Sequence, residues 1–149
     1  RPEVKNVVIE DAQYLMSFEA MDRAKEKGFE KFTDIAQKFY MILKTSIQMR
    51  DDMNVFVLCH SENSGSVDEP KFKIKTIGKM IDNTITVEGL FTYVFFTNVE
   101  KTSDNKVEYS FITHSDGTNT AKTPIDCFEE DLIPNDLQYV VDKINEYNN

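Results

Sequence analysis

The sequence predicts an α/β fold built around a strand, a helix and a second strand. Two short apolar runs have the length and composition of buried strands. The first is Val7–Ile9, within a strand predicted from Lys5 to Asp11 and buried on both faces of a parallel sheet, and the second is Val55–Cys59. Between them, residues 30–50 carry apolar side chains at steps of three and four, which is the spacing of an amphipathic helix. Because the connections are short, this order indicates parallel strands joined by a right-handed crossover.

Composition limits the class of protein. With 149 residues, 40% of them hydrophobic, the chain is predicted to form a single domain over residues 1–149. Its net charge of -9 argues against wholesale wrapping of nucleic acid, although a basic loop could still contact phosphates. The first residue is not Met, and no apolar stretch is long enough to cross a membrane. We therefore expect part of a longer protein that has no membrane association.

The two cysteines do not predict a disulfide framework or a zinc site. Cys59 and Cys127 are far apart in the sequence, and neither has a Cys or His at metal-ligand spacing. A reducing cytoplasm is the simplest setting for such a chain.

Polar side chains follow both predicted strands. Glu10 and Asp11 come directly after the first strand, where open α/β sheets bind ligands, and His60 follows the second strand. In P-loop NTPases an acid at this place holds Mg²⁺, and its neighbour helps to orient water. Two acids after a strand also mark an ordinary loop or helix start, and a lone His is also typical of a structural side chain. Both interpretations stay open.

The remaining elements of the first half follow in chain order. Residues 12–27 predict a short helix or a structured loop that ends at Gly28. The next helix carries one apolar stripe, made of Phe32, Ile35, Ala36, Phe39, Leu43 and Ile47. Residues 63–70 have the turn-rich, polar composition of a mobile loop.

Three lysines follow this loop in alternation with apolar residues. Lys71, Lys73 and Lys75 flank Phe72 and Ile74. One interpretation is an exposed edge strand that its lysines protect from pairing. The other is a basic and aromatic lip that contacts nucleic acid.

In the second half, Gly78 precedes a short amphipathic segment, and Leu90–Thr97 is predicted as a third strand. Val107–Thr113 is the returning strand of a hairpin, which makes the sheet mixed. A polar loop, residues 114–124, carries Lys122. Pro134 is predicted to open the last helix, whose apolar face consists of Leu137, Val140, Val141 and Ile144.

Four blocks in this order resemble one known family. Val7–Met16, Asn54–Glu62, Lys75–Lys79 and Ser115–Lys122 are similar to the C-terminal half of phage-type RecA-like ATPases. These are P-loop (AAA/RecA-like) proteins linked to single-strand DNA recombination or replication. The resemblance implies a RecA-like P-loop core fragment, with a mixed, mostly parallel sheet, flanking helices and a C-terminal hairpin.

The resemblance also implies roles for individual residues. Glu10 would stand at the Walker B magnesium position with Asp11 behind it, and His60 at the position that senses the γ-phosphate of ATP. The segment from Ser61 to Lys75 would face single-stranded DNA through the three lysines named above. Lys122 would reach the ATP of a neighbouring subunit in a homo-oligomer. ATP and Mg²⁺ are the implied cofactors, and the cytoplasm of a bacterial host is the implied setting.

One departure from the family restricts the prediction. The Walker A motif, Gly-x-x-x-x-Gly-Lys-[Ser/Thr], is absent, and Glu10 stands where Asp is usual. We therefore expect the chain to be an ATPase only when joined to a Walker A-bearing half. Either that half was removed upstream, which the non-Met start favours, or the chain is a degenerate relative kept for binding. The alternative function is a non-enzymatic α/β domain whose acidic surface binds a protein partner.

Overall fold

The computed structural model describes residues 1–77 and 79–149, so that Gly78 lies outside the described residues. The chain contains both helices and strands, interspersed along its length, which confirms a mixed α/β fold. The elements are β1 (Asn6–Ile9), α1 (Gln13–Asp22), α2 (Glu30–Ser46), β2 (Asn54–Val57), β3 (Ser61–Asn63), β4 (Phe72–Ile74), α3 (Lys79–Thr84), a 3₁₀ helix (Val87–Leu90), β5 (Phe96–Lys101), β6 (Val107–Ile112), β7 (Leu132–Pro134) and α4 (Leu137–Asn148).

The described strands form three small sheets. β1 and β2 are parallel, β3 pairs with β4, and β5, β6 and β7 form an antiparallel sheet. The predicted β-helix-β order and the β5–β6 hairpin are thus confirmed. Among the described strands, parallel pairing with a known register is limited to β1 and β2, and the larger RecA-like core stays a prediction.

The residues group into two compact units. The first comprises Arg1–Glu62 with Lys73–Phe91, and the second comprises Asn63–Phe72 with Thr92–Asn149. Each unit has its own hydrophobic core. The single domain predicted from the chain length stays a prediction.

In the first unit, α2 supplies half of the buried core residues because its apolar stripe repeats with the helical period. Ile35, Phe39 and Leu43 are almost completely buried, together with Met16 of α1. Large side chains at such positions contribute strongly to stability, since truncation to Ala typically costs about 2–5 kcal/mol. Phe32 is only partly buried, and α2 ends at Ser46, before the predicted end at residue 50, so that Ile47 lies beyond the helix and is exposed.

The prediction that the first strand is buried on both faces is wrong. Side chains alternate along β1, and Ile9 packs against the core whereas Val8 is 52% exposed. Successive side chains of a strand point to opposite faces. The apolar composition of β1 therefore overstates its burial.

Six charged residues at the connection between α1 and α2 form what we call the ion cluster. Arg23 contacts Glu19 and Glu26, each at 2.9 Å, and also Asp34. Lys38 contacts the same Glu19 at 2.7 Å and Asp34 at 3.1 Å. The sixth member, Lys31, is buried and donates to the main-chain oxygens of the connection.

The acceptors of Lys31 Nζ are the carbonyl oxygens of Arg23 at 2.9 Å, Ala24 at 3.4 Å and Glu26 at 3.0 Å. These carbonyls follow the last turn of α1, where helical hydrogen bonds end. The buried ammonium thus has three partners, as a buried charge requires.

In the second unit, the antiparallel sheet packs with α4. Its core contains Phe128, Ile133 and Val140, and the ring of Phe95 meets that of Phe128 edge to face with centroids 5.5 Å apart. Edge-to-face and offset rings of this kind add to the stability that apolar burial provides.

Two boundary predictions in the second half are wrong. Leu90–Thr97 is not one strand: Leu90 packs in the first core and Phe95 in the second, and β5 begins only at Phe96. Pro134 does not open the last helix but ends β7. The helix begins at Leu137 because the Asp136 side chain accepts hydrogen bonds from the backbone N–H groups that follow it.

Within residues 1–77 and 79–149, no helix has the length and apolar character needed to cross a membrane.

Candidate functional site

The ends of β1 and β2 are held in fixed register by backbone hydrogen bonds. Ile9 lies opposite Val57, and Leu58 N–H donates to the Ile9 carbonyl at 2.9 Å. Ala12 N–H then donates to the Leu58 carbonyl, also at 2.9 Å, so the pairing continues past both strands. The two chain segments therefore leave the sheet side by side, as predicted.

Asp11 and His60 meet at this edge. The Asp11 carboxylate lies 3.2 Å from His60 Nε2, and about half of each side chain is exposed. Asp11 has a φ of 50°, a left-handed conformation that Asp and Asn adopt more readily than most residues. The sharp turn brings its carboxylate toward the imidazole. Since exposed ion pairs typically contribute only about 0–1 kcal/mol, stability alone does not explain the arrangement.

Glu10, the predicted magnesium ligand, lies in the turn between β1 and α1 and is exposed. In the part of the chain that the structure describes, no three His, Cys, Asp or Glu side chains form a group that could hold a metal ion. Magnesium commonly binds through one or two carboxylates together with substrate phosphates. The carboxylates of Glu10 and Asp11 fit that partial donor set, but they do not form a complete metal site.

Gln13, the first residue of α1, is a member of this edge that the sequence analysis missed. It is 4% exposed, and its Oε1 accepts the backbone N–H of His60 at 3.1 Å. Its Nε2 is buried and has no hydrogen-bond partner among the residues that the structure describes. The sequence contains one signal for it, because Gln13 precedes the buried Met16 by three residues and so shares its helix face. We call Asp11, Gln13 and His60 the rim.

A shallow cleft opens beside the rim, with a volume of about 30 Å³. This volume is far below the roughly 300–1,000 Å³ of sites that enclose whole small molecules. The cleft is too small for a nucleotide. It is lined by Gln13, Tyr14, Ser17, His60, Lys75, Thr76 and Ile77.

The thiol next to the rim is not poised as a nucleophile. Burial raises the pKa of Cys59 to about 11, since a thiolate is poorly solvated there. The thiolate is the reactive form, and little of it exists at neutral pH. Thiol chemistry is therefore not part of this site.

The three predicted DNA-binding lysines differ in their surroundings. The Lys73 ammonium contacts Asp82 at 2.6 Å and Glu62 at 3.6 Å, so that its charge is largely compensated. Lys75 is exposed at the cleft, and Lys71 is exposed in the second unit.

The predicted loop before these lysines is held by hydrogen bonds. The Asn63 side chain accepts the backbone N–H groups of Gly65 and Lys71, each at 2.9 Å. β3 and β4 occupy the two ends of the segment from Ser61 to Lys75. Of the three lysines, Lys73 lies within β4, and Lys71 and Lys75 flank it.

Lys122 belongs to the second unit, where its backbone is fixed by an isolated bridge to Val94 with reciprocal hydrogen bonds of 2.9 Å. Its neighbour Ala121 is buried, whereas Lys122 is exposed. The side chain is thus directed outward from an ordered backbone.

Comparison of the chain with protein-family models, with curated proteins and with solved structures found no match. The function is therefore argued from the residues themselves.

Proposed function

We propose that this chain is the C-terminal part of a phage-type P-loop ATPase that couples ATP hydrolysis to single-strand DNA recombination or replication. The observation that supports it most is the 3.2 Å contact between Asp11 and His60 at the ends of two adjacent parallel strands. The family resemblance predicted a carboxylate at the end of the first strand, here Asp11, and a polar residue at the end of the next strand, here His60.

The roles of the rim follow from its position. Asp11 and Glu10 would supply carboxylate oxygens to the magnesium ion of MgATP, which neutralises charge on the phosphates when bound. His60, held by Asp11, would turn its imidazole toward the terminal phosphate. The absence of Walker A in this chain means that the phosphate-binding loop would come from a further segment.

Two surfaces would serve the DNA and the oligomer. Lys71 and Lys75 are exposed and would contact phosphates, whereas Lys73 is already paired with carboxylates. Lys122 would act across the interface of a homo-oligomer, and its exposure on an ordered backbone supports that role.

The test is ATP turnover by the protein encoded by the complete reading frame, after its upstream codons have been read for a Walker A motif. Asp11→Asn and Glu10→Gln should each lower kcat at least about a hundredfold, because each removes charge from the metal site. Asp51→Asn, an exposed position in the same unit, is the matched control and should retain the parental rate. Parental turnover in both Asp11→Asn and Glu10→Gln, or an upstream region without Walker A, would contradict the proposal.

A second candidate is a non-enzymatic domain that binds a protein partner. It is favoured by exposed apolar side chains on α1, where Phe18 is 65% and Met21 is 73% exposed. Exposed apolar clusters often mark protein contacts. Under this alternative, Asp11→Asn and Glu10→Gln leave partner binding unchanged, whereas Phe18→Ser abolishes it.

A further inference from the structure

The carboxamide of Gln13 is only half used within the chain. Its oxygen faces the backbone N–H of His60 at 3.1 Å, and a backbone N–H can only donate. This contact orients the amide and directs the NH₂ group the other way. That NH₂ group is buried and has no acceptor within residues 1–77 and 79–149. Buried donors are nearly always satisfied, so an unpaired one indicates a missing partner.

The side chains around Gln13 indicate the chemistry of that partner. The cleft beside it is also lined by His60, by the exposed Lys75 and by the hydroxyl-bearing Tyr14 and Ser17. These groups include the Lys75 ammonium, which is positively charged and can only donate, and hydroxyls that can donate or accept, of which that of Ser17 already donates to the Gln13 backbone carbonyl at 3.4 Å. They favour an oxygen-rich anion over a cation or an apolar group.

Two carboxylates near the cleft limit how an anion could bind. Asp11 contacts the Nε2 of His60, and Asp82 accepts the hydroxyl of Thr76. Both carboxylates therefore have donors of their own. The volume of about 30 Å³ admits the end of a small group and excludes a nucleoside.

We propose that the cleft is a phosphoryl subsite in which Gln13 Nε2 donates a hydrogen bond to a phosphate oxygen and Lys75 compensates the charge. Gln13 also fixes the backbone of His60, so that phosphate at Gln13 is sensed at the end of β2. The subsite deepens the proposed ATPase function, and its assignment to a nucleotide phosphate rests on that function. Binding of free phosphate at the cleft does not rest on the ATPase function, because binding requires no hydrolysis.

The test is a titration of the ¹⁵N-labelled 149-residue chain with inorganic phosphate at constant ionic strength, followed by NMR. The side-chain NH₂ signals of Gln13, assigned from their absence in Gln13→Glu, and the amide signal of His60 should shift together and saturate. Gln13→Glu keeps an acceptor for His60 N–H but replaces the donor with a negative oxygen. It should weaken binding about tenfold or more.

Gln48→Glu is the matched control, because it adds the same charge at an exposed position in the same unit and should keep the parental midpoint. Lys75→Gln, at an exposed site where folding is not at risk, should weaken binding several-fold, whereas Lys25→Gln should not. Gln13 signals that do not move, or that move without saturating, would mean that water satisfies the amide and that the inference is wrong. If the complete protein does not hydrolyse ATP, a saturable phosphate titration of the chain would still support the subsite. The two proposals can therefore fail separately.

Discussion

The ion cluster and the rim lie in the same unit and use similar polar side chains, but they differ in how fully those side chains are paired. In the ion cluster, Arg23 has three carboxylate partners and the Lys31 ammonium has three carbonyl acceptors. In the rim, Asp11 and His60 form one half-exposed contact, and Gln13 keeps a buried donor without an acceptor.

The difference is also visible in the pKa values of the ion cluster. Hydrogen bonds from Lys38 and then Arg23 lower the pKa of Glu19, and Arg23 lowers the pKa of Glu26. The hydrogen bonds that the Arg23 guanidinium donates to the carboxylates of Glu26, Glu19 and Asp34 raise the pKa of Arg23. A fully paired cluster holds two helices together, whereas an incompletely paired one leaves groups available to a ligand. The number of hydrogen-bond and ion-pair partners, more than polarity, therefore distinguishes the ion cluster from the rim.

The largest effect is expected for Lys31→Met. This change keeps the length of the side chain but removes the donor from three main-chain carbonyls, and it should lower the free energy of unfolding by about 2 kcal/mol. Urea unfolding measures it. Lys27→Met, an exposed neighbour, is the control and should change stability by less than about 0.5 kcal/mol. Equal effects of the two changes would show that Lys31 does not hold the connection.

A smaller effect on stability is expected at Asp11, where two substitutions separate the contribution of the backbone conformation from that of the side chain. Asp11→Ala should cost about 1 kcal/mol, because a φ of 50° is unfavourable for Ala. Asp11→Asn should change stability by less than about 0.5 kcal/mol, since Asn also adopts this conformation and the contact with His60 is exposed. Thermal unfolding of both variants checks the pair. If Asn were as destabilising as Ala, the contact with His60 would be structural, and the rim would resemble the ion cluster.

The smallest effect concerns acid. The lowered pKa values of Glu19, Glu26 and Asp34 mean that their contribution to stability is present above the ordinary carboxyl pKa of about 4 and is lost as the pH falls below it. Arg23→Gln removes one cause of this lowering. The variant should therefore lose less stability between pH 6 and pH 3 than the parental chain, as measured by the urea midpoint at each pH. Lys25→Gln serves as the control, and the same pH dependence in Arg23→Gln and the parental chain would contradict the assignment.

Local sequence patterns predicted the regular elements of the chain better than their boundaries. The helical period of α2 and the apolar runs of β1 and β2 predicted these elements, because periodicity depends on nearby residues. The boundaries around Leu90–Thr97 and Pro134 were wrong, since two separate cores and the cap at Asp136 decided them.

The same division holds for the candidate site. The sequence by itself determined that Asp11 and His60 follow two strands of a β-helix-β unit, and parallel pairing then required them to be neighbours. Only the tertiary structure decided that Gln13 binds the backbone of His60, 47 positions away, while its amide nitrogen stays unpaired. It also decided that Lys31 turns inward and that Lys73 is compensated by Asp82. These contacts join residues distant in the chain, and their energies depend on burial and distance, which no local pattern of residue types specifies.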